Sequence, residues 1–153
     1  MAEQVVLFEI HNNIGWVTLN RPTAMNSLTP GILAGIDAAL DEVTKHSEVR
    51  AVVFTGAGRA FSAGADLKFI RESSGGNPRA LQDFLQSVYT VLNRVEHFPR
   101  PTIAAVNGLA LAGGFCNWRF KYFLGIRREN RSFTYSQLRV LRLTATAAAS
   151  VSA

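Results

Sequence analysis

The sequence predicts an α/β fold in which strands and helices alternate and most strands pair in parallel. Three observations carry that expectation. Two β-rich runs lie close together near the N-terminus, two short apolar runs each lead into a glycine-containing turn, and two long segments repeat their apolar residues at helical spacing. The β-rich runs are residues 4–10 and 14–20, and the polar His11-Asn12-Asn13 between them reads as the turn of a hairpin. Thr29 followed by Pro30 is an N-cap and first-turn signal, after which Ile32, Leu33, Ile36, Leu40 and Val43 mark the apolar face of a helix. Residues 51–54 are continuously apolar, as expected of a strand covered on both faces, and Thr55-Gly56-Ala57-Gly58 ends them. Leu81, Phe84, Leu85, Val88, Leu92 and Val95 mark a second helix, halted by Pro99 and Pro101. Residues 102–106 then form another buried strand. Strand, helix, strand at this spacing implies a parallel crossover, and residues 73–78 read as a surface loop rather than a linker between domains.

The chain has 153 residues, 48% of them hydrophobic and 18% charged, enough for one globular domain and incompatible with a disordered or collagen-like chain. Its net charge of +5 is unevenly placed. Residues 1–115 hold 9 Lys/Arg against 10 Asp/Glu, whereas residues 116–153 hold 7 Lys/Arg against Glu129 alone. The sequence therefore divides at residue 115 into a nearly neutral segment, 1–115, and an atypical basic one, 116–153. The basic segment mixes arginines with aromatics without a period and ends in small residues, so it reads as an irregular extension more readily than as a nucleic-acid-binding arm. A single cysteine, Cys116, excludes an intrachain disulfide and suits a reducing, cytoplasmic setting. No apolar run is long enough to span a membrane, and the first residues lack the basic and apolar regions of a signal peptide.

Few motifs here carry chemistry. Thr55-Gly56-Ala57-Gly58 follows a strand, but Phe61 stands where a dinucleotide-binding turn needs a small residue, and no phosphate-binding Gly-Lys loop is present. His11, His46 and His97 lack ligand spacing and read as solvated or capping residues, so no metal is expected. Two turns matter more, at residues 60–67 and 107–114. Their small residues at 63–65 and 112–114 leave backbone N–H groups uncovered, and two such groups can hold a carbonyl oxygen more tightly as it becomes an oxyanion. The same residues would also suit tight turns chosen for backbone geometry alone.

The stretches at residues 16–28, 53–67 and 101–114, which include Asn20-Arg21-Pro22, Ala63-Gly64-Ala65-Asp66-Leu67 and Ala112-Gly113-Gly114, resemble the crotonase or enoyl-CoA hydratase/isomerase family in order and spacing. The resemblance covers residues 4–115. It implies the N-terminal half of a ββα spiral, a trimer or dimer of trimers, and chemistry on an acyl-CoA thioester, with coenzyme A entering only as part of the substrate. It assigns the two oxyanion-binding N–H groups to Ala65 and Gly113. It also places Thr23, Ala24 and Met25 at the CoA entrance, and Ala63, Ala65, Asp66 and Leu67 beside adenine and pantetheine.

The chain departs from the family's hydratases at the acid positions. Where they carry a glutamate, three residues beyond the second donor, this sequence has Cys116, and near the second acid position it offers Ser136 with only Glu129 nearby. A thiol with a free pKa near about 8.5 is a poor substitute for a carboxylate that must move a proton. Family members also extend well beyond 153 residues, and the charge shift falls where the resemblance ends, as a change of reading frame near Phe115 would produce. These features lead to the expectation of a truncated chain without hydratase activity. The alternatives are a fragment that binds CoA or joins a family oligomer, and a protein that binds nucleic acid or an acidic partner through its basic segment.

Overall fold

The computed structural model describes residues 4–74, 77–111 and 120–125. Its elements, in order, are strands β1 (Val6–His11) and β2 (Ile14–Leu19), a 3-10 turn at Pro22–Ala24, helix α1 (Pro30–Lys45), strands β3 (Ala51–Gly56) and β4 (Ala60–Ser62), helices α2 (Leu67–Ser74) and α3 (Pro78–Glu96), and strands β5 (Thr102–Val106), β6 (Leu109–Ala110) and β7 (Tyr122–Gly125). Five strands form one sheet in the order β1-β2-β3-β5-β7, and β4 pairs with β6 in a second, two-stranded sheet. The hairpin β1–β2 is antiparallel, while β2–β3, β3–β5 and β5–β7 are parallel. This is the α/β architecture the sequence predicts.

Local chemistry accounts for most of these elements. Asn12 and Asn13 both take left-handed φ values, 50° and 63°, which is the backbone of a two-residue hairpin turn whose twist matches the strands. The Thr29 hydroxyl accepts a hydrogen bond from the Ile32 N–H at 3.4 Å, and Pro30 gives up no bond in the first turn of α1. At the other end, His46 stops α1 and Arg100 Nη1 donates to the Val43 carbonyl at 2.6 Å. Asn77 caps α3 through the Arg79 N–H at 3.0 Å.

The core lies between the sheet and the helices. Val17 and Leu19 of β2, Val52 and Phe54 of β3, and Ala104 and Val106 of β5 meet Ile32, Ile36, Leu40 and Val43 of α1 and Val88, Val91, Leu92 and Val95 of α3. Strand β3 is covered on both faces, as its continuous apolar run requires, whereas β2 and β5 alternate. Helix α3 is rotated from the face that periodicity alone suggests. Leu81 and Leu85 are 37% and 48% exposed, Val91 is buried, and Phe84 packs against Phe69 of α2 with ring centroids 5.6 Å apart. Arg94 of α3 bonds Asp37 at 2.9 Å and also Asp41, clamping α3 to α1.

Four elements lie outside the sequence-based reading. Helix α2 is only two turns long and turns few apolar residues inward, and β4 and β6 are too short to show a period. Strand β7 lies within the basic segment, yet it pairs with β5 from Ile103↔Tyr122 to Val106↔Gly125. Phe120, just before it, is 7% exposed and stacks against Phe54 and Phe61 at 5.1 and 6.2 Å. The sheet thus runs past the boundary that charge draws at residue 115. Charge counts weigh exposed side chains, whereas this strand is held by backbone pairing and one buried ring.

Candidate functional site

The first of the two turns, residues 60–67, is pinned almost atom by atom. The Ala63 N–H donates to the Met25 carbonyl at 2.9 Å, and the Gly64 N–H donates to the buried Ser62 hydroxyl at 3.2 Å. Gly64, at φ +89°, supplies a backbone conformation that a side chain would strain. Its carbonyl then accepts from the Leu28 N–H at 2.7 Å, and the Asp66 N–H donates to the Leu28 carbonyl at 3.0 Å. Leu28 and Ala65 are therefore parallel bridge partners, with Leu28 bonded to the residues on either side of Ala65. In a parallel bridge of this kind the central residue's own N–H points away from its partner. Among the described residues, the Ala65 N–H accordingly has no acceptor, whereas those of Ala63, Gly64 and Asp66 do.

The second turn is laced to the first. Asn107 donates through Nδ2 to the Gly56 and Gly58 carbonyls at 2.7 and 3.0 Å and accepts the Gly56 N–H at 3.1 Å, tying the end of β3 to the end of β5. Gly108 follows, and a Cβ on it would lie 2.2 Å from the Arg59 carbonyl oxygen, so only glycine allows the two backbones to approach. The Leu109 N–H bonds that same carbonyl at 3.1 Å, Ala60 and Ser62 pair with Leu109 and Ala110, and the Leu111 N–H reaches the Ser62 carbonyl at 3.0 Å. The two turns that the sequence singled out thus run side by side in the same direction up to Leu111. Gly113 and Cys116 lie outside the described residues, as do Glu129 and Ser136.

The third stretch, residues 21–28, forms a rim over the first turn. Thr23 and Ala24 belong to the 3-10 turn, and Met25 and Asn26 follow with left-handed φ values of 50° and 53°. Met25 carries the carbonyl that binds Ala63, which places this rim against residues 63–65. Asn26 is wholly buried. Its Oδ1 accepts from the Arg21 N–H at 2.8 Å, and its Nδ2 donates to the Ala57 and Ala60 carbonyls at 3.0 and 2.8 Å. Its own carbonyl accepts from the Ser62 hydroxyl at 2.9 Å.

Asp66 sits where these parts meet. Oδ1 caps α2 through the Phe69 N–H at 3.0 Å, while Oδ2 accepts from the Ser27 hydroxyl at 2.9 Å and from Arg21 Nη1 at 3.1 Å. Burial by itself would raise the Asp66 pKa, but the bonds from Phe69, Arg21 and Ser27 together outweigh it and hold the carboxyl below its ordinary range. The side chain is only 12% exposed and fully engaged within the protein, whereas neighbouring Leu67 is 77% exposed at the start of α2. Arg21, Asn26, Ser27 and Ser62 were not singled out from the sequence. They are polar residues within the stretches that carry the family resemblance, and local patterning reads them as ordinary loop positions.

The histidines stand apart from this region. His46 and His97 are the residues that end α1 and α3, and exposed His11 lies 3.2 Å from Glu9. Among the described residues no group of three or more His, Cys, Asp or Glu could hold a metal ion, and no helix is long and apolar enough to cross a membrane.

Comparison with known proteins adds a consistent set of likenesses. The enoyl-CoA hydratase/isomerase family profile matches residues 9–120. The short-chain-enoyl-CoA hydratase of Clostridium acetobutylicum is 39% identical over 129 residues, covering 84% of this chain and 48% of that protein. The mitochondrial 3-hydroxyisobutyryl-CoA hydrolase of Danio rerio is 36% identical over 114 residues, covering 74% of this chain and 30% of that protein. Among solved structures, an enoyl-CoA hydratase/isomerase from Xanthobacter autotrophicus Py2 superposes with a TM-score of 0.74 at 36% identity, covering 79% of this chain and 45% of its own. The enoyl-CoA hydratase of Bacillus anthracis gives 0.72 at 32% identity, covering 80% and 47%. The chain spans about half or less of the length of these relatives.

Proposed function

The chain belongs to the enoyl-CoA hydratase/isomerase family, and from that premise we propose that it binds an acyl-CoA thioester whose carbonyl oxygen is held by the backbone N–H groups of Ala65 and Gly113. The observation that carries this reading is the Ala65 N–H, which has no acceptor among the described residues although the neighbouring N–H groups of Ala63, Gly64 and Asp66 all have one. The pairing of β4 with β6 supports it, because it delivers the chain at Leu111 beside Ser62, three residues before Ala65. A thioester oxygen gains negative charge as an enolate forms, and fixed backbone dipoles stabilise that charge without reorganising, each donor typically contributing about 2.7–4 kcal/mol. The site requires no cofactor beyond the coenzyme A of its substrate. Thr23, Ala24 and Met25 border the entrance, and Ala63 and Leu67 flank the pantetheine arm. Asp66 acts from beneath, through its hydrogen bonds.

Relatives named for hydration and for hydrolysis both match this segment, which supports thioester polarisation as the chemistry held in common. Proton transfer is then the step this chain lacks. Cys116 stands at the first acid position and Ser136, with Glu129 nearby, close to the second, so the sequence does not supply the carboxylate pair that would activate water and protonate the α-carbon, a contribution typically worth about 10²–10⁴-fold.

Backbone-amide NMR tests the donor assignment. Addition of crotonyl-CoA to the 153-residue chain should move the amide protons of Ala65 and Gly113 downfield, while coenzyme A without an acyl group leaves both in place. Movement with free coenzyme A alone, or no movement with saturating crotonyl-CoA, would overturn it.

A further inference from the structure

We propose that Arg21 and Asp66 are positioning residues for the Ala65 donor, their ion pair setting its direction and cancelling the negative charge that would otherwise lie one residue away. The inference rests on the reading of Ala65 as an oxyanion donor and goes a step beyond it.

Among the described residues the Ala65 N–H makes no hydrogen bond that would orient it. Its direction is inherited from Leu28, which bonds the Gly64 carbonyl and the Asp66 N–H on either side. Leu28 in turn ends the 21–28 loop, so the donor is only as well aimed as that loop is placed. Arg21 closes the loop on itself. Its carbonyl accepts from the Ala24 and Asn26 N–H groups at 3.0 and 2.9 Å, and Nη1 donates to the Ser27 carbonyl at 3.0 Å. The same Nη1 reaches Asp66 Oδ2 at 3.1 Å, where the Ser27 hydroxyl also donates. Side chain and main chain of residue 66 therefore grip successive residues of one loop, Ser27 and Leu28, immediately after the donor residue.

Charge gives the pair a second role. A carboxylate adjacent to an oxyanion site opposes the charge that the site must stabilise, and in a half-buried setting water screens it poorly. The Arg21 side chain is 28% exposed and that of Asp66 is 12% exposed, so the guanidinium is the countercharge that offsets it. All of Arg21's side-chain bonds within this group come from the single nitrogen Nη1, so a lysine ammonium could replace it, whereas a neutral glutamine could supply a donor but not the charge.

The experiment reads the thioester directly. Crotonyl-CoA labelled with carbon-13 at its carbonyl is bound to the full chain, and difference infrared spectroscopy records the fall in its stretching frequency, which reports hydrogen-bond polarisation. In parallel, the affinity for coenzyme A without an acyl group is measured by calorimetry. Arg21→Gln should lose most of the downshift while keeping the affinity for free coenzyme A, Arg21→Lys should restore it, and Asp66→Asn, which loosens the grip on the loop but also removes the opposing charge, should lose less than Arg21→Gln. The asparagine variant retains an oxygen to cap α2, which guards against simple unfolding. A full downshift in both Arg21→Gln and Asp66→Asn would overturn the inference and leave the Ala65 assignment standing, and so would equal loss in Arg21→Lys and Arg21→Gln. Bound crotonyl-CoA with no downshift in the unmodified chain would overturn the Ala65 assignment and, with it, the inference.

Discussion

Replacing Asn26 by alanine should be among the most damaging single changes in the described structure, and its cost can be worked out bond by bond. The amide loses three partners, the Arg21 N–H and the Ala57 and Ala60 carbonyls. The contacts to Arg21 and Ala57 are partly buried, so each loss costs about 1 kcal/mol, while the fully buried contact to Ala60 costs about 1–3 kcal/mol when unmade. Alanine at a φ near +53° adds about 1 kcal/mol, since its Cβ crowds the following carbonyl where asparagine is tolerated. Together these give about 4–6 kcal/mol, a large share of the roughly 5–15 kcal/mol that stabilises a typical domain. Urea unfolding followed by tryptophan fluorescence measures it, and with a slope of about 1–3 kcal/mol/M the midpoint should fall by at least about 1.3 M. Asn26→Gly separates the two causes, because it relieves the backbone conformation without restoring the bonds and should recover about 1 kcal/mol. A loss below about 1 kcal/mol for Asn26→Ala would refute the reasoning, since buried carbonyls left without donors cannot be that cheap.

Three further outcomes follow from the structure. Phe120→Ala should cost about 3–5 kcal/mol in thermal or chemical unfolding, because it empties the space between Phe54 and Phe61, whereas a cost near zero would show that residues 120–125 are peripheral. The folded-state pKa of Asp66 lies below its ordinary 3.8, so its ion pair contributes fully above that value and is lost as pH falls through the depressed one. Acid unfolding should therefore show a component below about pH 4 that Asp66→Asn removes, and an unchanged acid limb in that variant would contradict the assignment. Finally, the purified chain should show negligible hydration of crotonyl-CoA by loss of enoyl absorbance, and Cys116→Glu alone should not restore it, since the region of the second acid position offers Ser136 with only Glu129 nearby. Robust turnover by either protein would mean that an acid–base pair operates elsewhere in the chain.

Much of this molecule could be read from contiguous residues. Thr29-Pro30 and the apolar spacing from Ile32 to Val43 determine α1, the paired asparagines determine the hairpin, and the continuous apolar run at 51–54 marks a strand buried on both faces. These are local signals, since capping, turn conformation and amphipathic period are each encoded within a few residues. The same locality carried the family resemblance, through three stretches whose glycines and small residues are dictated by tight backbone approach, as Gly108 beside the Arg59 carbonyl shows. What only tertiary structure decided is which polar groups are spent and which are left over. Ser62, Asn26 and Asp66 look alike in sequence to any loop residue, yet each is committed to partners 34 to 45 positions away. Among the described residues the Ala65 N–H has no acceptor, because Leu28 bonds the residues on either side of it. The β4–β6 pairing and strand β7 are likewise too short to announce themselves, and they form because parallel backbones brought together by the core must satisfy their N–H and carbonyl groups with one another.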